Sequence, residues 1–487
     1  MVAKKRRVAV LHLDLGIGGG EQLTVLSSLA LSRTPGKGCE KDPNVDLTIY
    51  TTRHDPSYAF KPTVDGSLNV KVCGNFIPSS IFGVGIAFCS SIRMIYLCLY
   101  LLFSTFLDCK SLSSLSNYYD VIYNDQVSMV NPLLKLMTHK LIFYCHFPDK
   151  LLSRRTYSGI SKLYRDTFNY LEEIGMKYAD LVFVNSIFTR QAYMGCFPSF
   201  EESKHLPPTV RYPEVLYPPV DLEQIPPKEE SIECLVKANL PIISEDLEVP
   251  VFISINRYAR NKNLTLALRA FEILGKKYEI EDNTCLIISG GYDKYLRENI
   301  EHFDELVSEA KSLDLTTFID SKKVYESTNK KSTQVVIFLR NIGDDFRWSL
   351  LRRSCGTIYT PENEHFGIVP CESMSVGTPV IASDTGGPME SIVNEITGYL
   401  CSHDASEFAS AMNNLLEIKR DPKKKKVWEY ACEERVKSLF SFEMFSKKLR
   451  SFAFTSSNKD INKMVDELIS GEVVVPKKRK GKNPHSS

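Results

Sequence analysis

The run Glu364-His-Phe-Gly-Ile-Val-Pro-Cys-Glu372 places seven residues between two carboxylates, with a glycine and a proline among them. Gly367 permits a tight turn and Pro370 suits the first turn of a helix. The backbone N–H groups of Phe366, Gly367, Ile368 and Val369 are therefore expected to converge as an anion site at a helix N-terminus. A diphosphate has the chemistry to rest there. Glu372, one turn further on, would come within reach of a ribose diol, and Glu364, on the loop, would face a sugar. The alternative is a surface helix with two solvated glutamates.

A second cluster, Asn256-Arg-Tyr-Ala-Arg-Asn-Lys-Asn263, follows an apolar strand and opens a helix. That puts Arg257 and Lys262 at a strand end, where open α/β sheets bind ligands. Two cations there could neutralise a departing diphosphate. A basic turn taken alone is more often simply solvated; beside the two-glutamate run it reads as functional.

Cys145-His146-Phe147-Pro148 also leaves a strand directly, so His146 would hydrogen-bond a sugar hydroxyl or the reacting centre, or else be structural. No second histidine or carboxylate stands at ligand spacing from it, and no metal is expected. The loop Gly16-Ile-Gly18-Gly19-Gly20-Glu21 resembles a dinucleotide fingerprint, but Glu21 stands where the third glycine should pack helix against strand. Asp46 begins the next strand instead of ending it, so the ribose partner is missing too. The loop reads either as a close approach to a sugar or phosphate at the mouth of a cleft, or as a tight strand-to-helix turn.

The elements that must hold these groups are legible from apolar patterning. Near-continuous apolar runs at 8–13, 47–51, 121–123, 141–145 and 181–184 alternate with helical stretches, as in a parallel sheet covered on both faces. A second set begins after residue 250, at 251–255, 286–289, 335–339, 357–359 and 379–383. Two stacked α/β units follow. The first is expected over residues 1–220, a proline-rich charged linker over 221–248, and the second unit over 249–435. Helices over 436–471 would return to the first unit, and a basic tail, 472–487, would be disordered. Residues 321–333, polar and lysine-rich, read as a surface loop or insertion.

With 487 residues the chain is too long for one core, and 60 basic against 59 acidic residues give a net charge of +1, which argues against a nucleic-acid partner. The 13 cysteines form no CxxC pair and suit a reducing compartment. Residues 81–107 are apolar enough to span a bilayer, yet Arg93 sits in their middle, at a cost of about 2.5 to 3.5 kcal/mol. A buried helix, an interfacial or re-entrant helix and a true span all remain open, although a span would split the first sheet.

Several motifs in order along the chain, LHLDLGIGGGEQL, FYCHFPD, VNSIFT, LYPPVD, SINRYARNKNLTLALRA, SGGYD, YTPENEHFGIVPCESM and PVIASDTGGPMESI, resemble glycosyltransferase family 4 over nearly the whole length. The resemblance implies the GT-B architecture, two Rossmann-like domains facing across a cleft. It implies a retaining mannosyltransferase with GDP-mannose as donor and a dolichol-diphosphate-linked glycan as acceptor, receiving an α-1,3 and then an α-1,6 mannose. Attack from the donor's own face would need no protein nucleophile, and no cofactor or metal. By position, Arg257, Lys262, Gly290, Gly291, Phe366, Gly367, Ile368, Val369 and Glu372 would bind the donor, with Glu364 and His146 at the reacting centre. Gly18, Gly19, Gly20 and Glu21 would face acceptor and sugar. The resemblance also implies the endoplasmic reticulum membrane, with the domains on its cytosolic face, and other mannosyltransferases of the pathway as partners. Gly20 where alanine is usual, Gln22 where arginine is usual, and a long 316–334 segment depart from the family. A family 4 enzyme for another acceptor and a catalytically silent membrane scaffold are the alternatives; a dehydrogenase is the weakest.

Overall fold

The computed structural model describes residues 5–455 apart from 35–39, 81–84, 110, 153–158, 239, 242–248, 279, 281–282 and 330–333. The basic tail therefore lies outside the described residues.

The first sheet has seven strands in the order β3-β2-β1-β4-β5-β6-β7, every adjacent pair parallel. They are β1 (Arg6–Leu15), β2 (Val45–His54), β3 (Asn69–Val72), β4 (Val121–Asp125), β5 (Leu141–Cys145), β6 (Leu181–Val184) and β7 (Glu214–Val215). Continuous apolarity has a direct cause here. On β1, Val8 and Val10 enter one buried cluster while Ala9 and Leu11 enter another, so successive side chains meet a covering layer on each face.

The second sheet runs β11-β10-β12-β9-β8-β13-β14-β15. Its strands are β8 (Val251–Ile255), β9 (Thr284–Gly290), β10 (Thr316–Ile319), β11 (Lys322–Tyr325), β12 (Gln334–Arg340), β13 (Gly356–Tyr359), β14 (Val380–Ser383) and β15 (Gly398–Cys401). The strand order reverses between β1 and β4 in the first sheet and between β8 and β13 in the second. Open α/β sheets bind ligands at such points, outside the strands' carboxyl ends.

The helices that position the site are α1 (Gly19–Ser32), α2 (Ile86–Cys109), α3 (Ile187–Cys196), α4 (Lys228–Ala238), α5 (Asp344–Arg353), α6 (Ile368–Ser375), α7 (Pro388–Ser391) and α8 (Phe442–Phe454). The chain crosses between the units twice at one place: Val220 N–H donates to the Phe440 carbonyl at 2.7 Å, and Phe442 N–H donates to the Val220 carbonyl at 3.0 Å. Beyond the second crossing, α8 packs Phe445, Leu449 and Phe452 into the core beneath α1.

Two expectations need correction. The stretch 221–248 is not all linker: α4 forms within it and packs Leu235 and Ala238, with Leu240 beyond, against the second unit's core, while Ile232 and Val236 face solvent. Residues 321–333 are not all loop either. Lys322–Tyr325 forms β11, antiparallel to β10, so a hairpin extends the sheet edge with its lysines in solvent.

Helix α2 belongs to the layer covering the first sheet. Met94, Leu97, Cys98 and Leu101 are buried against it, and the buried guanidinium of Arg93 donates from Nη1 to Asp14 at 2.9 Å and from Nη2 to the other Asp14 oxygen. The opposite stripe, Ile92, Tyr96, Leu99, Phe103 and Phe106, is exposed although wholly apolar or aromatic.

Candidate active site

The first unit's contribution gathers at its reversal point. Asp125, the last residue of β4, is fully buried and accepts bonds from the Thr24 hydroxyl at 2.6 Å and from His146 Nε2 at 2.7 Å; His12 Nδ1 lies 3.3 Å away. Burial alone would raise the Asp125 carboxyl, but the His146 and His12 rings outweigh it and hold it well below the usual carboxylate range. Burial likewise works against a charged His146. The Asp125 carboxylate overcomes it, with Glu21 adding to the effect, and raises the imidazole above its ordinary value.

Through Thr24, which also bonds the Gly20 carbonyl at 3.1 Å, the glycine loop joins this network. A Cβ at Gly20 would stand 3.7 Å from the His146 ring, and one at Gly18 would meet the Glu21 carboxylate at 2.3 Å. Glu21 thus folds its carboxylate back over Gly18, and a side chain there would displace it. Gly19 is exposed at the start of α1.

The second unit answers from its own reversal point. Lys262, in the single turn after β8, donates to Glu364 Oε2 at 2.5 Å, and its carbonyl accepts from the Thr360 hydroxyl. Arg257 is exposed at the end of β8, next to Gly291, where a Cβ would lie 3.4 Å from its Cγ. It has no ion pair among the described residues. Gly290 presses against the Asn256 carbonyl, where a Cβ would come within 1.8 Å. Gly367, at φ +80°, is the N-cap of α6, so the chain turns by a left-handed residue that only glycine adopts cheaply. No side chain caps α6, so the Ile368 and Val369 N–H groups lie in an uncapped first turn, with Phe366 buried behind them. Glu372 is buried on α6 and pairs with Arg347 of α5 at 2.6 Å.

The two units touch here. Phe147, next to His146, stacks on His365, next to Glu364, with ring centroids 3.7 Å apart and planes within 4°. His365 is held below its ordinary value by burial, with Lys262 and His146 pushing the same way. So the structure brings together His146, the Gly18–Glu21 loop, Lys262 and Glu364. Arg257 and the Gly290–Gly291 turn lie along the second sheet's rim, and Glu372 lies deeper, engaged by Arg347.

The comparisons fit this geometry. The Glycosyl transferases group 1 family matches residues 237–435. The alpha-1,3/1,6-mannosyltransferase ALG2 of Dictyostelium discoideum is 39% identical, over 92% of this chain and 98% of its own. The Homo sapiens protein of the same name is 36% identical over 91% and 95%. The chain belongs to the alpha-1,3/1,6-mannosyltransferase family. Among solved structures, sucrose-phosphate synthase from Thermosynechococcus elongatus (TM-score 0.60, 17% identity, 96% of this chain and 100% of that one) has the same fold. So does Anabaena HepE in complex with UDP-glucose (TM-score 0.60, 17% identity, 91% and 98%). The fold is GT-B, as the motif order implies, and the protein is a glycosyltransferase that transfers mannose.

Reading the sequence alone misses several groups at this mannosyltransferase's cleft: Asp125, His12, Thr24, Arg347 and His365. Asp125 had one signal, a carboxylate closing the apolar run VIYND at a strand's carboxyl end. Arg347 had none, because its partner Glu372 lies on another helix and no spacing links the two.

Proposed function

We propose that this mannosyltransferase takes mannose from GDP-mannose and adds it to a dolichol-diphosphate-linked trisaccharide at the cytosolic face of the endoplasmic reticulum, first α-1,3 and then α-1,6, with retention of configuration. The observation that carries the reading is the meeting of Lys262 and Glu364 opposite the His146–Phe147 loop. A cation and a carboxylate stand beside the uncapped start of α6, and a raised-pKa imidazole comes from the other unit.

The leaving diphosphate would lie against the Ile368 and Val369 N–H groups with Lys262, and with Arg257 from the rim. Cations and helix-end dipoles fixed in advance stabilise charge as it develops. Glu364 would hold mannose hydroxyls, and Glu372, oriented by Arg347, would bind the ribose. His146 would donate a hydrogen bond toward the transferred sugar while the departing phosphate oxygen accepts the acceptor's proton. The glycosidic bond to phosphate breaks and the new one forms on the same face. No protein nucleophile or metal enters these steps.

The exposed apolar stripe of α2 supports contact with a bilayer surface, a place suited to a lipid-linked acceptor. Incubation with GDP-mannose, UDP-glucose or UDP-N-acetylglucosamine and a short-chain lipid-linked trisaccharide tests the assignment. Transfer from GDP-mannose alone, giving both linkages, is expected. Transfer from a uridine donor would refute it.

A further inference from the structure

The motif GGPMES, at 386–391, has no part in the donor chemistry above, yet it lies between the donor loop and the opposite unit. On one side it is pressed against that loop. Gly387 N–H donates to the Glu364 carbonyl at 2.8 Å, and a Cβ at Gly386 or Gly387 would collide with the Glu364 or Phe366 carbonyl oxygen at 2.4 and 2.2 Å. On the other side, Glu390 of α7 reaches across to α3. Its two oxygens accept the Ile187 and Phe188 N–H groups at 2.8 Å each.

Those are the first two N–H groups of α3, which have no partner inside a helix. The third, Thr189 N–H, is taken by the Ser186 side chain, whose hydroxyl in turn donates across to the His365 carbonyl. The first unit thus begins a ten-residue helix whose leading donors are satisfied by a carboxylate of the second. Tyr217, on the segment between the units, works against the rise that burial gives the pKa of the same carboxylate, and Arg435 fixes the α7 backbone through the Glu390 carbonyl at 2.7 Å.

We propose that Glu390 is a positioning residue for the transfer reaction, a latch that joins the units in the closed arrangement and holds the donor loop against the His146–Phe147 loop. Separating the sheets breaks both bonds at once and leaves two helix donors to water, so the closed state is favoured by a charge-assisted pair placed where helix dipole and carboxylate agree. Donor groups all lie on the second unit and His146 on the first. A weakened latch therefore leaves donor binding intact and damages the step that needs both units in register.

This inference rests on the proposed donor, and its test separates the two. In the full-length chain, Glu390→Ala, Glu390→Gln and Ile187→Pro are compared with the unaltered protein. The proline sits at the first position of α3, which tolerates it, and removes one of the two donors without disturbing the helix. The expected result for Glu390→Ala is unchanged GDP affinity, a kcat lower by about tenfold or more, a larger share of donor lost to water, and a larger radius of gyration in solution scattering. Glu390→Gln and Ile187→Pro should fall between. If the unaltered chain neither binds GDP nor uses GDP-mannose, the donor assignment fails while scattering still judges the latch. Unchanged kcat and scattering in Glu390→Ala or Ile187→Pro would overturn it, as would loss of GDP binding in step with loss of transfer.

Discussion

Lys262 and Glu364 lie 102 residues apart in sequence and meet at 2.5 Å between Nζ and Oε2. Both side chains are mostly shielded, at 12% and 25% exposure, so the contact is no ordinary surface ion pair. It joins the loops after β8 and β13, the two strands at which the second sheet reverses.

Because Glu364 holds Lys262 from one side, removing the carboxylate should not weaken the cation's hold on phosphate. Glu364→Ala is expected to bind GDP at least as tightly as the unaltered chain while transferring mannose about 100-fold more slowly, the size usual for one lost transition-state contact. Calorimetry with GDP and a transfer assay check the two halves. Loss of GDP binding would assign Glu364 to the diphosphate instead of the sugar.

The Asp125–His146 pair makes a pH prediction. Asp125 raises the imidazole's pKa, so the protonated form persists to higher pH than in a free histidine and is lost as pH rises through that raised value. The alkaline limb of the kcat/KM profile should report it. Asp125→Asn removes the anion, so the limb should move to lower pH and the plateau should fall. A limb that stays in place would show that His146 does not donate in its charged form.

Arg93 is 2% exposed, and Asp14 is its partner at the end of β1, just before the glycine loop. Asp14→Ala leaves a buried cation without its anion. A loss of about 3 kcal/mol is expected from this kind of change, reduced somewhat because Asp14 is itself part-exposed. Urea denaturation measures it. A midpoint unchanged from the parent would show that Arg93 finds another acceptor.

Arg347 and Glu372 should act as a unit. Arg347→Ala leaves a buried carboxylate unpaired and free to turn from the ribose, so the donor KM should rise. The double variant Arg347→Ala with Glu372→Gln should be no worse than the worse single variant, a coupling of about 1 to 3 kcal/mol. Strict additivity would mean that the two groups serve the donor separately.

Much of this arrangement was legible beforehand, and the reason is local. Strands covered on both faces write continuous apolar runs, and Gly367, Pro370, Glu364 and Glu372 lie within nine residues of one another, so five inner strands of each sheet and the donor loop could be read directly. The groups that escaped notice act across distance. Asp125 meets Thr24 101 residues away, Glu390 meets Ile187 203 residues away, and no spacing in the chain announces either contact. Residues 81–107 left three readings open because hydropathy does not see Asp14, which lies in another element and supplies the counter-charge that lets Arg93 be buried within the first unit. Strand β11 was hidden by its lysines, which point to solvent from the sheet edge and make a strand look like a loop.

The affinity for GDP of the unaltered chain beside Lys262→Ala bears most directly on where the leaving diphosphate lies. Binding to the unaltered protein, weakened about 10- to 100-fold by the substitution with thermal stability retained, is the predicted result; a charge-assisted bond of about 1.4 to 2.8 kcal/mol has that effect. Equal affinity in the two proteins would place the diphosphate away from Lys262 and contradict the site described for this family member.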